Sequence, residues 1–180
     1  MSVYKANDVI GLPVLDLQAG QELGVVRDVL FDEDWTFQGL LIEIKAMFRR
    51  GRFIPTDSIH AIGDDYVTIS HVGAMLPLEG TEQFNGVKAG PIRMIGKPVI
   101  TSNGHRLGEV EDVYFQTEIG SIIGYELSDG LLTDLLEGRK AIKHLERTRV
   151  GEDAVVLPVT GLTDQEGIHL TEREETTNEK

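Results

Sequence analysis

The 180-residue chain contains no cysteine. Structural disulfides, thiolate zinc sites and cysteine nucleophiles are thereby excluded, and the composition suits a reducing compartment. Long apolar runs are missing too. No stretch approaches the roughly 18 residues that cross a bilayer as a helix. The opening MSVYKANDVIGLPV lacks the apolar core of a secretory signal. A cytoplasmic protein without a transmembrane segment is the expectation. Aromatic residues make up only 6% of the chain, with one tryptophan, Trp35.

Signatures of catalysis are equally scarce. The five histidines, His60, His71, His105, His144 and His169, stand apart in sequence with no pairing at metal-ligand spacing, so surface and turn positions are expected for them. No Gly-x-Ser-x-Gly elbow or dinucleotide fingerprint is present. The stretch from Gly90 to Lys97 fails as a phosphate loop: five residues separate Gly90 from Gly96, and Pro98 stands where Ser or Thr would bind magnesium. The acidic clusters Asp32-Glu33-Asp34, Asp64-Asp65 and Glu152-Asp153 lack the alternation of a calcium loop and read as solvated turns. The chain is therefore expected not to be an enzyme and to hold no cofactor or metal.

Positive charge is in short supply, with 17 Lys and Arg against 30 Asp and Glu and a net charge of −13. What there is gathers in two places. Lys45, Arg49, Arg50 and Arg52 form one segment; Arg139, Lys140, Lys143, Arg147 and Arg149 form the other. With Glu146 as their one acid, the segments carry +8 against −21 elsewhere. Such polarity repels anions in general while offering them local sites.

What the chain has is a repeat. Residues 10–31, IGLPVLDLQAGQELGVVRDVLF, match residues 95–115, IGKPVITSNGHRLGEVEDVYF, at eleven positions once one residue is dropped before the central glycine. Among the identities are Gly11/Gly96, Pro13/Pro98, Gly24/Gly108, Asp28/Asp112 and Phe31/Phe115. A duplicated unit is the reading. Units of this size are marginal alone, so the halves should lean on each other or on a second copy, leaving a homo-oligomer open.

Within each unit the pattern is that of short strands. Segment 39–45 alternates, with Leu40, Ile42 and Ile44 on one face; 124–128 is its counterpart, with Tyr125 and Leu127 facing in. Asn103-Gly104 is a tight-hairpin signal, and Ala19-Gly20 takes its place in the first unit. The run from Leu23 to Phe31 mixes helical spacing with strand-forming residues and is read as a long strand with a bulge. A glycine-acid turn leads into a short last strand in both units. The expected fold class is all-β, two small antiparallel barrels in tandem. Residues 1–72 form the first, 73–91 a linker with at most a helical turn at Thr81–Phe84, 92–162 the second, and 163–180 a flexible acidic tail.

Asp28 and Asp112 sit inside apolar runs at the same place in each unit. No partner acid, base or metal ligand accompanies them, so the favoured reading is a carboxylate that accepts backbone N–H bonds at a bulge.

The pattern Ile-Gly-x-Pro-Val, a glycine turn, Leu-Gly-x-Val, Asp-Val, a second strand beginning at glycine, then Gly-Asp-Asp before the last strand resembles the PRC-barrel family. The likeness covers roughly 5–70 and 92–159. It implies paired β-barrels of the kind found in the cytoplasmic part of the photosynthetic reaction centre H subunit and in the bacterial ribosome maturation factor. It implies binding rather than catalysis. The membrane helix of the one and the extra domain of the other have no counterpart here. The second unit also departs from the pattern: Lys140-Ala141-Ile142-Lys143-His144 stands where the first has Phe53-Ile54-Pro55, without the proline.

Two binding functions are weighed. The leading one is an adaptor that docks a protein partner through its barrels, with Trp35 and Phe37 as candidate anchors, since aromatics dominate interface energetics; the other reading of these two is that they cap the barrel. The alternative is binding of structured RNA, ribosomal particles or an anionic membrane surface through Lys45, Arg49, Arg50, Arg52, Arg139, Lys140 and Lys143. Phe48 and Phe53 flank the first basic cluster and could stack on bases. Solvated hairpin tips that keep an edge from aggregating are the structural reading of the same clusters.

Overall fold

A computed structural model describes residues 2–44, 51–128 and 141–159. In the first unit, β2 (Pro13–Asp16) turns at Gly20, whose φ of 63° suits glycine, into the long β3 (Gln21–Phe31). Then follow β4 (Phe37–Ile44), β5 (Arg52–Pro55), β6 (Ile59–Ile62), β7 (Val67–Ile69) and the two-residue β8 (Leu76–Pro77). The sheet order is β6-β7-β2-β3-β4-β5-β8. The second unit repeats it with β10 (Pro98–Thr101), β11 (Arg106–Gln116), β12 (Ser121–Ser128), β13 (Ala141–Lys143), β14 (Arg149–Val150) and β15 (Val155–Leu157), in the order β13-β12-β11-β10-β15-β14.

The barrels are antiparallel apart from one pairing in each. β2 runs parallel to β7, with Val14 opposite Val67, and β10 runs parallel to β15, with Val99 opposite Val155. The first strand of each repeat, β2 or β10, thus meets β7 or β15 from near its other end, which draws the sheet into a curl.

The bulge expected in the long strand is present in both units. Val26 pairs Ile42 and Asp28 pairs Leu41, leaving Arg27 extra; Val110 pairs Leu127 and Asp112 pairs Glu126, leaving Glu111 extra. The extra residue turns outward and shifts the alternation, so that Asp28 and Val29 are both buried.

The stretch 73–91 is more than a linker. It contains β8 and β9 (Asn85–Gly86), and Val87 is fully buried. β9 pairs with the end of β3, Asn85 against Phe31 and Gly86 against Leu30. At the N-terminus β1 (Val3–Lys5) does the same for the other unit, Tyr4 against Phe115 and Lys5 against Tyr114. A single helical turn, α1 (Ala6–Val9), leads from β1 towards β2. The lead-in segment of each repeat is therefore a strand of the opposite sheet.

One hydrophobic core runs through both units. At their meeting point Phe115 lies edge-on to Phe31 at 6.1 Å between ring centres and 5.1 Å from Phe37. Thr36 and Ser121 form an isolated antiparallel bridge. Each stands three residues before the equivalent glycines Gly39 and Gly124, so equivalent residues meet across a pseudo-twofold axis.

Candidate functional site: two carboxylate clasps

The bulges in β3 and β11 aim two buried carboxylates at the opposite repeat's lead-in segment. Asp28 is 2% exposed. Its Oδ1 accepts the N–H of Val29 at 2.8 Å and of Val87 at 3.1 Å; Lys88 N–H reaches both oxygens at 3.1 Å, and Ala89 N–H reaches Oδ2 at 2.8 Å. The loop that brings these donors together approaches closely. A Cβ on Gly86 would lie 2.4 Å from Asp28 Oδ2 and 2.5 Å from the carbonyl oxygen of Ala89.

Asp112, 1% exposed, is held in the same manner by fewer donors. It accepts the N–H of Val113 at 2.8 Å, while Asn7 N–H reaches its two oxygens at 3.1 and 3.3 Å. By ladder register Asn7 is the counterpart of Lys88, each lying two residues after the strand residue opposite Tyr114 or Leu30. Burial pushes both carboxyls above the ordinary range, and the backbone N–H bonds pull them part of the way back.

The clasps also differ in their surroundings. Around Asp112 the chain has built a polar network that the first unit lacks. Lys5 Nζ stands 2.9 Å from Glu126 and 3.7 Å from Asp112, and Tyr114 donates its hydroxyl to Glu126 at 2.9 Å. The equivalents of Tyr114 and Glu126 are Leu30 and Leu41. The hydrogen bond to Glu126 raises Lys5 above its ordinary value, so it stays charged. An open groove of about 470 Å³ lies beside this network, lined by Glu109, Glu111, Asn7 and Ser128 among others.

Chemically, both carboxylates are taken up in holding backbone. The favoured sequence reading of Asp28 and Asp112 stands, with the addition that donors come from the other repeat. Among the described residues no group of three or more His, Asp or Glu is arranged to hold a metal.

Trp35 and Phe37 fall inside. They are 7% and 3% exposed and pack on Phe31, at 5.9 and 6.1 Å between ring centres. The turn Asp32–Thr36 folds the tryptophan inward by giving it a φ of 60°, and Asp32 Oδ1 fixes that turn through the N–H groups of Asp34 and Thr36. Neither ring is an exposed anchor; both belong to the core at the junction. Of the basic candidates, Lys45, Arg49, Arg50, Arg139 and Lys140 lie outside the described residues. Arg52 begins β5, half-buried, and Lys143 ends β13, exposed, so these two occupy the equivalent strand of different units, β5 being covered on its outer side by β8.

Sequence reasoning missed Lys5, Asn7 and the 87–89 loop. Their contribution is mostly backbone N–H, which leaves no mark on residue type.

The chain is similar to the uncharacterized protein YrrD of Bacillus subtilis (strain 168), with 28% identity over 155 residues, 84% of this chain and 85% of that one. The profile of the PRC-barrel domain matches residues 1–75 and again 93–163, the two repeats described above. With both barrels matched over most of its length, the chain belongs to the PRC-barrel domain family.

Proposed function

We propose that this protein is a non-catalytic cytoplasmic adaptor, a two-barrel body that docks a protein partner on its outer surface. The observation that carries this reading is where the buried acids go. Asp16, Asp28 and Asp112 all accept backbone N–H bonds, Asp16 from Gln18, Ala19 and Val72. Groups spent on holding turns and clasps are poorly placed to act on a substrate.

Apolar surface supports the same reading. Leu17 and Val72 are 47% and 54% exposed and sit side by side at one end of the first barrel. Leu17 N–H bonds to Ile69, the last residue of β7, while Val72 N–H bonds to Asp16. The equivalent of Leu17 in the second unit is Ser102, so the pair is particular to one end of the molecule.

The test is capture by tagged protein from lysate of its own cells, at ~50 and ~500 mM salt, beside the double variant Leu17→Asp/Val72→Asp. A protein retained at high salt by the wild type and lost by the variant is the expected result. RNA, ribosomal particles or membrane captured at low salt and released at high salt would overturn it in favour of the basic segments.

A further inference from the structure

The chain contains two Asn-Gly sequences, Asn85-Gly86 and Asn103-Gly104, and the fold treats them in opposite ways. Asparagine before glycine is open to a spontaneous reaction in which the glycine nitrogen attacks the side-chain amide carbon, since no Cβ on the next residue blocks the approach. We propose that Asn103 is a self-modification site of this protein, converting through a succinimide to aspartate and isoaspartate, and that Asn85 is protected.

Asn85 is held on every side. It is 5% exposed, its Nδ2 donates to the Asp32 carbonyl at 3.3 Å, and its Oδ1 accepts the N–H of Ile92 at 3.1 Å. Gly86 is packed against Asp28 and Ala89, and its N–H is engaged with the Ile92 carbonyl at 3.2 Å. Neither the leaving amine nor the attacking nitrogen is at liberty to move.

Asn103 and Gly104 are both exposed at the tip of the β10–β11 hairpin, where Gly104 has a φ of 90° and open space around its Cα. The amide carbonyl there is polarised by two donors. The Thr101 hydroxyl lies 2.5 Å from Asn103 Oδ1, and His105 Nδ1 lies 3.1 Å from it. Because Oδ1 can only accept, the His105 proton in this contact sits on Nδ1. Negative charge develops on Oδ1 as the glycine nitrogen adds, so these donors face the oxygen that needs them. Thr101 is itself buried and fixed by accepting the His105 N–H at 2.9 Å. The attacking N–H must first leave the Thr101 carbonyl, to which it bonds at 2.8 Å, a local opening of the kind exposed turns undergo readily.

The step balances without any oxidant or cofactor. The Gly104 N–Asn103 Cγ bond forms, the Cγ–Nδ2 bond breaks, and ammonia leaves with the proton that Gly104 gives up. Water then opens the ring at either carbonyl, leaving aspartate in normal linkage or isoaspartate in place of the asparagine. The product carries one more negative charge, and the isoaspartyl form adds a methylene to the backbone of the turn. Both changes fall beside Ser102, whose N–H and hydroxyl bond Leu157 and Val159 where the described chain leaves the second barrel.

The test is ageing of the intact protein at mildly alkaline pH, followed by peptide mapping with fragmentation that separates aspartate from isoaspartate. The expected result is the mass gain of replacing –NH₂ by –OH at Asn103, with the Asn85 peptide unchanged. Thr101→Val should slow the conversion about two- to tenfold, the worth of one net hydrogen bond, and Thr101→Ser should restore it. His105→Phe should slow it in the same range. Conversion at Asn85 as fast as at Asn103, or none at Asn103, would overturn the assignment. Unchanged rates in both Thr101→Val and His105→Phe would overturn the role of the two donors.

Discussion

Tyr125 is fully buried, and burial pushes its hydroxyl far above the ordinary range, so it keeps its proton. Its oxygen lies 2.6 Å from Nδ1 of His144, so the two side chains share one hydrogen bond. Burial also holds His144 below its ordinary value of 6.5. A histidine that stays neutral when folded but protonates when unfolded lets the unfolded chain bind more protons as pH falls below that value, and stability drops. Asp28 and Asp112 act in the opposite sense, because burial raises both and the folded chain takes up their protons first. Comparison with a variant isolates the histidine. From about pH 7 to about pH 5, His144→Gln should gain on the wild type by on the order of 1 kcal/mol, measured by urea unfolding at each pH. A difference that stays constant across that range would contradict it. At this scale the sequence was partly legible. Asp28 and Asp112 announced themselves as acids inside apolar runs, whereas Trp35 could be read as a surface anchor or as a barrel cap, because nothing in its neighbours signals a left-handed turn that points the ring inward.

The strand elements divide by length in how well they could be foreseen. β3 and β11 each run over eleven residues and carry enough pattern to reveal strand, bulge and repeat. β1 has three residues and β9 two, too short for any periodicity to register. Their partners are distant as well, Val3 lying opposite Gln116. What makes β9 effective is the close approach at Gly86, where the loop wraps the Asp28 carboxylate. Gly86→Ala should therefore cost roughly 1–3 kcal/mol, because the new methyl must displace both the carboxylate and the Ala89 carbonyl. The check is the urea midpoint together with hydrogen exchange at Val87, Lys88 and Ala89, which should quicken. An unchanged midpoint with unchanged exchange would mean the loop has slack that the packing does not show. The parallel closure of each barrel was also hidden from sequence, since the short last strand reads the same in either direction.

At the scale of the molecule, the duplication has produced one body whose halves complete each other. Each barrel supplies the acid and the other supplies the strand and the N–H donors, and the Phe31, Phe37 and Phe115 rings fill the space between. This arrangement answers the difficulty that barrels of this size bury too little surface alone. It also means that the N-terminal segment belongs, in energetic terms, to the far end of the chain. The most direct test is hydrogen exchange, read by mass spectrometry, on a chain lacking residues 2–9 beside the intact protein. The deletion removes Lys5 and Asn7 from Asp112 and the β1 ladder from β11. Protection should fall in the second unit, over residues 110–116 and 122–127, while the pairing of β2 with β7 in the first unit keeps most of its own. Protection lost around β2 alone, with the second unit unchanged, would contradict the reciprocal clasp.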